Sequence, residues 1–295
     1  MAASENLMQR CADIYRKLRN TFRFLLGNLN GFDPVRDRVP EAELLPLDRY
    51  MLARTRDLTE KVCDWYAAFE FHRVYHAVNE FAIVDLSSFY LDVLKDRMYT
   101  FAPTSHARRS AQTVLWQITE SLARLVAPIL SFTADEVWEY LPAVKGREAS
   151  VHLSQFPKPD EVFSESPTAL LEEWKHLFAV RDAAMLVLEE ARQAKRIGKS
   201  LEADIEIEAS GDLVSLLQNH KEGLKELLNV SDVRLRLHTE SRNAVHIIAL
   251  PASGHKCARC WNFMPEVSVY GIWENVCTRC QSALKEMKIA PPDAT

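Results

Sequence analysis

Four cysteines near the end of the chain constrain its fold more than any other feature. They form two Cys-x-x-Cys pairs separated by sixteen residues, namely Cys257 with Cys260 and Cys277 with Cys280. This spacing is typical of a four-cysteine zinc site, because two residues between cysteines let one tight turn direct both thiolates at one metal. Two such turns complete a tetrahedron with Zn–S bonds of about 2.3 Å. The spacing therefore predicts one structural Zn²⁺ that folds a small ribbon and leaves no open position for catalysis.

Disulfide bonds and redox chemistry are the two alternative uses of these cysteine pairs. The chain starts Met-Ala-Ala-Ser-Glu, without an apolar stretch behind a basic start, so nothing indicates secretion. A redox motif would not explain a second pair at this spacing. Cys11 and Cys63 lie far away in helical patterns, and we expect them to be packing residues rather than ligands.

The composition is ordinary for a soluble globular protein, the length allows two domains or one domain with appendages, and we expect the protein to be cytoplasmic. The chain has 295 residues, of which 47% are hydrophobic and 26% charged. No apolar run reaches the roughly 18 residues of a membrane span, so we expect no membrane partner. The net charge is −5, so any nucleic-acid contact must come from a local basic patch. Gly198-Lys199-Ser200 resembles the end of a phosphate-binding loop, but Gln193 stands where that loop needs another glycine.

Apolar periodicity predicts an antiparallel helical bundle over residues 1–145. Apolar side chains recur at spacings of three and four within four stretches, at 5–28, 47–69, 71–97 and 106–139. Pro128 predicts a break within the fourth stretch, and Thr133-Ala-Asp-Glu136 predicts a capping box that restarts the helix. Long helices with short connections pack on their neighbours, so the predicted fold class is mainly α.

The remaining chain predicts three smaller parts. Residues 146–200 hold a proline-rich segment, expected to cross the bundle as an extended strap, and a connecting helix over 166–195. Residues 201–250 predict a small α/β junction unit, in which alternating apolar residues mark the strands. Residues 251–290 are the zinc ribbon. The junction unit has expected strands near 202–209, 233–237 and 245–250 and a helix near 211–228.

The first helix carries a local positive charge on an otherwise acidic chain. Arg16, Arg19, Asn20 and Arg23 share one of its faces by their spacing. Guanidinium groups suit phosphates and base edges because their donors form a rigid fork. These residues are therefore candidates for RNA binding, with an ordinary solvated helix face as the alternative.

The ribbon adds arginines and aromatic rings to this set. Arg259 and Arg279 occupy equivalent positions in the two Cys-x-x-Cys turns, Trp261 follows the first turn directly, and Tyr270 and Trp273 lie between the two turns. Arginine beside exposed rings suits single-stranded RNA, whose unstacked bases lie on such rings. Alternatively the aromatics form the small core of the ribbon, and we expect this of at least one of them.

Several segments resemble one protein family, and they occur in the family's order. Tyr15–Leu29, followed by Phe32-Asp33-Pro34, resembles the opening helix of the anticodon-binding domain of bacterial-type isoleucyl-tRNA synthetases. Asp85–Tyr90 with Lys95–Tyr99 resembles a later helix of that domain, and Ala127–Trp138 resembles its last helix. Ile197–Ala203 resembles the entry to the family's junction domain. Lys256–Trp261 and Cys277–Cys280 resemble its carboxy-terminal zinc ribbon. Valyl and leucyl relatives share the bundle, but their tails are not similar to this ribbon.

The resemblance implies the carboxy-terminal part of an enzyme that joins isoleucine to its tRNA using ATP. The family's His-Ile-Gly-His-type and Lys-Met-Ser-Lys-Ser-type motifs do not occur in this sequence, nor does its editing domain. We therefore expect no catalytic residues here, ATP binding only in the missing catalytic domain, and no activity of this chain alone. The missing domains would be supplied in cis or by a separate chain, and we expect a monomer.

The resemblance also implies isoleucine tRNA as the partner. The anticodon stem-loop would lie along the bundle against Arg16, Arg19, Asn20 and Arg23. The ribbon would contact the loop from its other side through Arg259, Trp261 and Arg279. The alternative function is a free-standing RNA-binding module that never charges tRNA, and a protein-interaction bundle is the third.

Overall fold

The computed structural model describes residues 4–238, 244–267 and 273–290. The predicted fold class, helices first and then a small sheet and a cysteine cluster, is confirmed. The elements in chain order are α1 (Glu5–Asn28), a 3₁₀ turn (Glu41–Glu43), α2 (Pro46–Ala67), α3 (Phe71–Glu80), a π-helical segment (Phe81–Tyr90), α4 (Leu91–Val93), α5 (Lys95–Thr100), α6 (His106–Val126), α7 (Ser131–Tyr140), a 3₁₀ turn (Val151–Leu153), α8 (Pro159–Val162), α9 (Thr168–Gln193), a 3₁₀ turn (Ser200–Glu202), β1 (Ala203–Ser210), α10 (Leu213–Asn219), α11 (Lys221–Leu228), β2 (Asp232–His238), β3 (Ala244–Pro251), β4 (His255–Lys256), β5 (Phe263–Met264) and α12 (Thr278–Glu286).

Two compact units divide these elements. The first unit runs through Asp92 and resumes at His106–Ala169, so it contains the bundle helices. The second unit contains Val93–Ser105 and the chain from Leu170 onward, so it contains α5, most of α9, the sheet and the ribbon. The short segment that carries α5 thus belongs to the second unit, although its neighbours on both sides in the sequence belong to the first.

Helix α6 is the central helix of the first unit. From Ser110 onward nearly all of its side chains are buried, including polar ones, so it is packed on every side. Two of its buried hydroxyl groups have partners: the Thr119 hydroxyl donates to the Leu115 carbonyl, and the Ser110 hydroxyl donates to the Asp48 carboxylate. Helix α1 packs on α6 through a stripe at three- and four-residue spacing, as the sequence predicted. The buried residues of that stripe are Leu18, Phe22 and Leu25.

The helix predicted over 71–97 is divided in the structure. A π-helical segment follows α3, and within it the Ser87 hydroxyl donates to the carbonyl of Ala82, five residues earlier. The wider turn keeps Phe81, Leu86 and Tyr90 in the core, although Phe81 and Leu86 lie five residues apart. Apolar spacing alone does not distinguish this geometry from an α-helix, because the whole stretch is rich in apolar residues.

Two local predictions in the bundle were wrong. Pro128 does separate α6 from α7, but α7 begins at Ser131, so Thr133 lies inside the helix and caps nothing. Its hydroxyl instead bonds to the Tyr15 hydroxyl of α1 at 2.9 Å. The strap is also not extended at its centre, because Val151–Leu153 forms a 3₁₀ turn. The Asp135 carboxylate of α7 holds this turn by accepting bonds from the Ser150 hydroxyl and the Val151 N–H.

The second unit is built around a three-stranded sheet with strand order β2-β1-β3. β1 pairs parallel to β2 and antiparallel to β3, with Ile205 opposite Val233 and Ala249. The chain between β1 and β2 forms α10 and α11, which fits the longer crossover that a parallel pair requires. Ala203, Ile205 and Ile207 lie buried on one face of β1, as predicted, but Asp204 and Glu206 on the other face are buried as well. The predicted single helix at 211–228 is two helices, which meet at His220.

Candidate metal centre and nucleic-acid interface

The four cysteines converge on one buried point in the second unit. Their Sγ atoms all lie within 4.8 Å of one another, and every one of the four side chains is buried. The first pair sits on the turn between β4 and β5. Cys277 is the residue before α12, and Cys280 lies in its first turn. Four soft sulfur ligands at this separation fit a tetrahedral metal ion with no position left for a substrate. The residues predicted as metal ligands are therefore together in the structure and could hold a metal ion.

Backbone bonds lock the first cysteine turn. The Cys257 N–H donates to the Asn262 carbonyl, and the Trp261 N–H donates back to the Cys257 carbonyl, both at 2.9 Å. The Cys277 N–H points at the Cys257 Sγ at 3.3 Å, so the second pair approaches the first through its backbone. Donors aimed at a sulfur favour its ionised form. The turns are thus shaped to hold thiolates.

The four sulfurs also shift one another's ionisation. Hydrogen bonds with Cys260, Cys277 and Cys280 lower the pKa of the Cys257 thiol far below its ordinary value. The bond with Cys257 raises the pKa of Cys260, but those with Cys277 and Cys280 lower it, to about 5. Bonds with the first pair raise the pKa of Cys277 and Cys280. Four thiolates so close together repel, so a cation among them is what allows all four to ionise.

The ribbon's aromatic residues differ in their environments. Trp273 is buried against the cysteines with Val267, Val276 and Leu284, which confirms that at least one aromatic forms the ribbon's core. Trp261 is 56% exposed and follows the first cysteine turn directly. Tyr270 lies outside the described residues. Trp261 is thus the exposed tryptophan of the ribbon, and Trp273 is the buried one.

The two ribbon arginines contact helix α5. Arg279 makes a two-pronged ion pair with Asp96, with N–O distances of 2.8 and 2.9 Å, and its guanidinium lies 4.2 Å from the centre of the Phe101 ring. Burial disfavours its charge, but the hydrogen bond and charge of Asp96 raise the pKa of Arg279 above its ordinary value. Arg259 donates to the carbonyls of Tyr99 and Thr100 at the end of α5. Sequence reasoning missed these partners, since those of Arg259 lie 159 and 160 residues away along the chain and Asp96 lies 183 residues from Arg279.

The basic face of α1 lies on the surface of the first unit. Arg16 pairs with Asp13 at 2.7 Å and Arg19 with Glu136 at 3.5 Å, and about half or more of each of these four side chains is exposed. Asn20 and Arg23 are exposed as well. The opposite side of the helix is the buried stripe against α6. The predicted RNA-binding residues of α1 are thus presented together, with only surface ion pairs to hold them.

Comparison with known proteins gives the class of protein to which this helical bundle, small sheet and four-cysteine ribbon belong. A family model described as the anticodon-binding domain of tRNA ligase matches residues 48–207, more than half of the chain. The chain therefore belongs to the anticodon-binding domain family of tRNA ligases. The resemblance drawn from the sequence motifs is confirmed.

Similar curated proteins point to one branch of that family. The isoleucine–tRNA ligase of Staphylococcus carnosus (strain TM300) is 43% identical over 292 residues, which cover 96% of this chain and 31% of the relative. That of Geobacillus thermodenitrificans (strain NG80-2) is 42% identical over 291 residues, with the same coverage. That of Carboxydothermus hydrogenoformans is 41% identical over 295 residues, covering 99% of this chain and 32% of the relative. The chain thus spans about a third of the length of the curated relatives it matches.

Among the residues that the structure describes, no helix is both long enough and apolar enough to cross a bilayer.

Proposed function

We propose that this chain recognises isoleucine tRNA as part of an isoleucine–tRNA ligase, the enzyme that joins isoleucine to its tRNA using ATP. The observation that carries the proposal is the family match over 48–207, together with relatives that bear this name. The chemistry belongs to the two thirds of the relatives that this chain does not match, acting in cis or as a separate chain. We further propose a cytoplasmic monomer that has no aminoacylation activity without that part.

The basic face of α1 is the proposed contact for the anticodon stem-loop in the first unit. Surface ion pairs such as Arg16–Asp13 contribute only about 0.2–1 kcal/mol, so a phosphate can replace the carboxylate at little cost. Arg19 and Arg23 lie four residues apart, one helical turn, and can follow successive phosphates. Asn20, between them, carries both a donor and an acceptor for a base edge. Phosphate contacts would fix the register, and base contacts would discriminate.

Zinc is the proposed metal of the cysteine cluster, and its proposed role is structural. Four thiolates without an open position suit Zn²⁺, which prefers tetrahedral sulfur ligation. The hydrophobic core beside the cysteines is small, so metal ligation supplies much of the ribbon's folding energy. When bound, the ion would hold the two cysteine turns together and thereby present Trp261 to RNA.

The three predicted RNA-binding residues of the ribbon divide into two roles in this proposal. Trp261 is the proposed surface for stacking a base. Arg259 and Arg279 were predicted to contact RNA directly, and doing so would require them to leave Tyr99, Thr100 and Asp96. We therefore propose that both act as positioning residues, which hold α5 beside the ribbon.

Binding of the purified chain to isoleucine tRNA tests the proposal, with an anticodon-swapped tRNA as the comparison. We expect a preference for the isoleucine anticodon. Arg16→Ala and Arg19→Ala should each weaken binding and reduce its salt dependence, because each removes a phosphate contact. Lys158→Ala is the matched control, since Lys158 is also exposed and paired three residues away, with Glu161. Equal binding of the two tRNAs, or equal effects of all three variants, would contradict the proposal.

A further inference from the structure

A small polar cavity lies beside α6 in the first unit, and we call it the α6 cavity. Its volume is about 190 Å³, the space that roughly six molecules of liquid water take up. Pockets for drug-sized ligands begin at about 300 Å³, so this cavity suits a small ion or a single chemical group. Residues 157–162 close one side of it. Its polar wall is formed by Arg38, Trp116, Gln117, Glu120, Ser121 and Arg124.

Two polar side chains in this wall are buried without a protein partner. Gln117 and Ser121 are 8% and 5% exposed, and they lie four residues apart on α6, one helical turn. Among the residues that the structure describes, no group forms a hydrogen bond with either side chain. Thr119 of the same helix, by contrast, donates to a carbonyl four residues earlier. Because buried polar groups are normally hydrogen-bonded, this pair indicates a polar ligand in the α6 cavity.

Two arginines bring positive charge to the same cavity. The Nε of Arg124 donates to the Gln155 carbonyl at 2.8 Å, which fixes a side chain that is only 17% exposed. The Glu120 carboxylate lies 3.9 Å from Arg124, beyond hydrogen-bond distance, so the terminal N–H groups of this arginine keep donors for a ligand. Arg38 lies over the Trp116 ring, 5.7 Å from its centre. Two guanidinium forks and two neutral donors suit an oxyanion.

Glu120 limits which oxyanion fits the α6 cavity. A carboxylate only accepts hydrogen bonds, so it repels an anion that has no proton to donate. A phosphate group that keeps one proton can donate its O–H to Glu120. Glu161, the other carboxylate in the wall, pairs with Lys158 at 3.1 Å. The two arginines against Glu120 leave one positive charge, which matches a monoanion.

We propose that the α6 cavity binds a phosphate group that keeps one proton, either free phosphate or a phosphomonoester. Arg38 and Arg124 bind its ionised oxygens, and Gln117 and Ser121 donate to the same oxygens. The remaining P–O–H group donates to Glu120. Sulfate and the diester phosphates of an RNA backbone carry no such proton. The site is therefore separate from the RNA contact proposed for α1, and its failure would leave the proposed function unaffected.

Calorimetric titration of the full chain with four anions tests the proposal. The titrations are run at about pH 6.5, near the second pKa of about 6 of a phosphomonoester. Inorganic phosphate and methyl phosphate should bind. Sulfate, and dimethyl phosphate as a mimic of the RNA backbone, should bind roughly 10-fold more weakly, because neither donates to the carboxylate. Tighter binding of methyl phosphate than of inorganic phosphate identifies a phosphomonoester as the ligand; otherwise the ligand is the free ion.

Substitutions test the role of each charged residue. Arg38→Ala and Arg124→Ala should each weaken phosphate binding by roughly 10- to 100-fold, the loss of a hydrogen bond to a charged group. Arg38 is exposed, so its variant tests the site even where Arg124→Ala impairs folding. Glu120→Gln removes the charge, keeps the shape and adds a donor, so sulfate should then bind as well as phosphate. A purely structural role for Glu120 would not raise the affinity for sulfate.

Arg73→Ala is the matched control. Arg73 is a half-exposed arginine of α3 in the same unit, paired with Glu70, and it does not line the α6 cavity. This variant should bind phosphate like the unaltered chain. The proposal is overturned if no anion binds, if sulfate binds the unaltered chain as well as phosphate, or if both arginine variants behave like the control.

Discussion

Replacing Arg279 with alanine should loosen α5 without changing the metal site. The arginine joins α12 to α5 through its ion pair with Asp96 and its contact with the Phe101 ring. If Arg279 instead served only to bind RNA, its loss would leave the local opening of α5 unchanged. The substitution therefore separates a positioning role from direct RNA binding.

The expected cost follows from the two contacts. Arg279 and Asp96 are 28% and 36% exposed, so solvent screens the pair and its contribution is about 1 kcal/mol despite the two-pronged geometry. The guanidinium at 4.2 Å from the Phe101 ring adds about 1 kcal/mol. The sum, about 2 kcal/mol, corresponds to a roughly 30-fold change in the equilibrium for local opening.

Amide hydrogen exchange over Lys95–Thr100 measures that opening directly. Arg279→Ala should speed exchange there about 30-fold, for example at Met98, whose N–H bonds to the Leu94 carbonyl. Lys285→Ala is the control, since it removes a positive charge from the same helix at an exposed position. Metal content should stay unchanged in both variants.

A double-mutant cycle completes the test. Asp96→Asn removes the charge and should reproduce most of the ion-pair part of the effect, and adding it to Arg279→Ala should change exchange little further. Additive effects of the two substitutions, or unchanged exchange in Arg279→Ala, would refute the reasoning.

Two further predictions concern the ribbon and acid stability. Cys257→Ser, or removal of zinc by a chelator, should raise amide exchange over 255–267 and 273–286 while the bundle keeps its protection, because the ribbon's core is small; a ribbon still protected without metal would contradict this. The hydrogen bond from Arg36 lowers the pKa of Asp37 to about 2, against the opposing effect of burial and with help from the Asp33 N–H and Arg109. Because the folded pKa lies below the ordinary 3.8, this stabilisation is complete above about pH 4 and is lost as the pH falls towards 2. The Arg36 side chain is 70% exposed, so solvent screens the pair and its contribution is about 1 kcal/mol. Thermal unfolding should therefore show a weaker decline over that range in Asp37→Asn, and an unchanged decline would refute the assignment.

Residue spacing predicted the parts of the molecule that are local in sequence. The cysteine pairs and the buried stripe of α1 follow from repeating intervals, because turns and helices impose those intervals directly. The π-helical segment escaped prediction because its apolar residues satisfy more than one helical period. Burial of Asp48 was also not predictable, since its partners Tyr90 and Ser110 lie 42 and 62 residues away.

The ribbon shows the same limit within a single site. Trp261 and Trp273 are both tryptophans near a cysteine turn, yet one is exposed and the other buried, and only the tertiary fold distinguishes them. Arg259 and Arg279 were recognised by their equivalent positions in the two cysteine turns. Their contacts are with α5, a helix from the middle of the bundle sequence. Residue spacing predicts only local contacts, so it could not predict these.

The origin of α5 in Val93–Ser105 means that no single cut can separate the two units. A chain that began at Leu170 would contain the sheet and the ribbon but would leave Arg279 without Asp96 and Arg259 without its carbonyl acceptors. The same topology orders events during synthesis. At about 5–20 residues per second, Asp96 of α5 is synthesised roughly 10–40 s before Arg279 of α12, with which it pairs. For that interval Asp96 and Phe101 remain without Arg279, and the second unit cannot be completed until almost the last residues of this sequence have been translated.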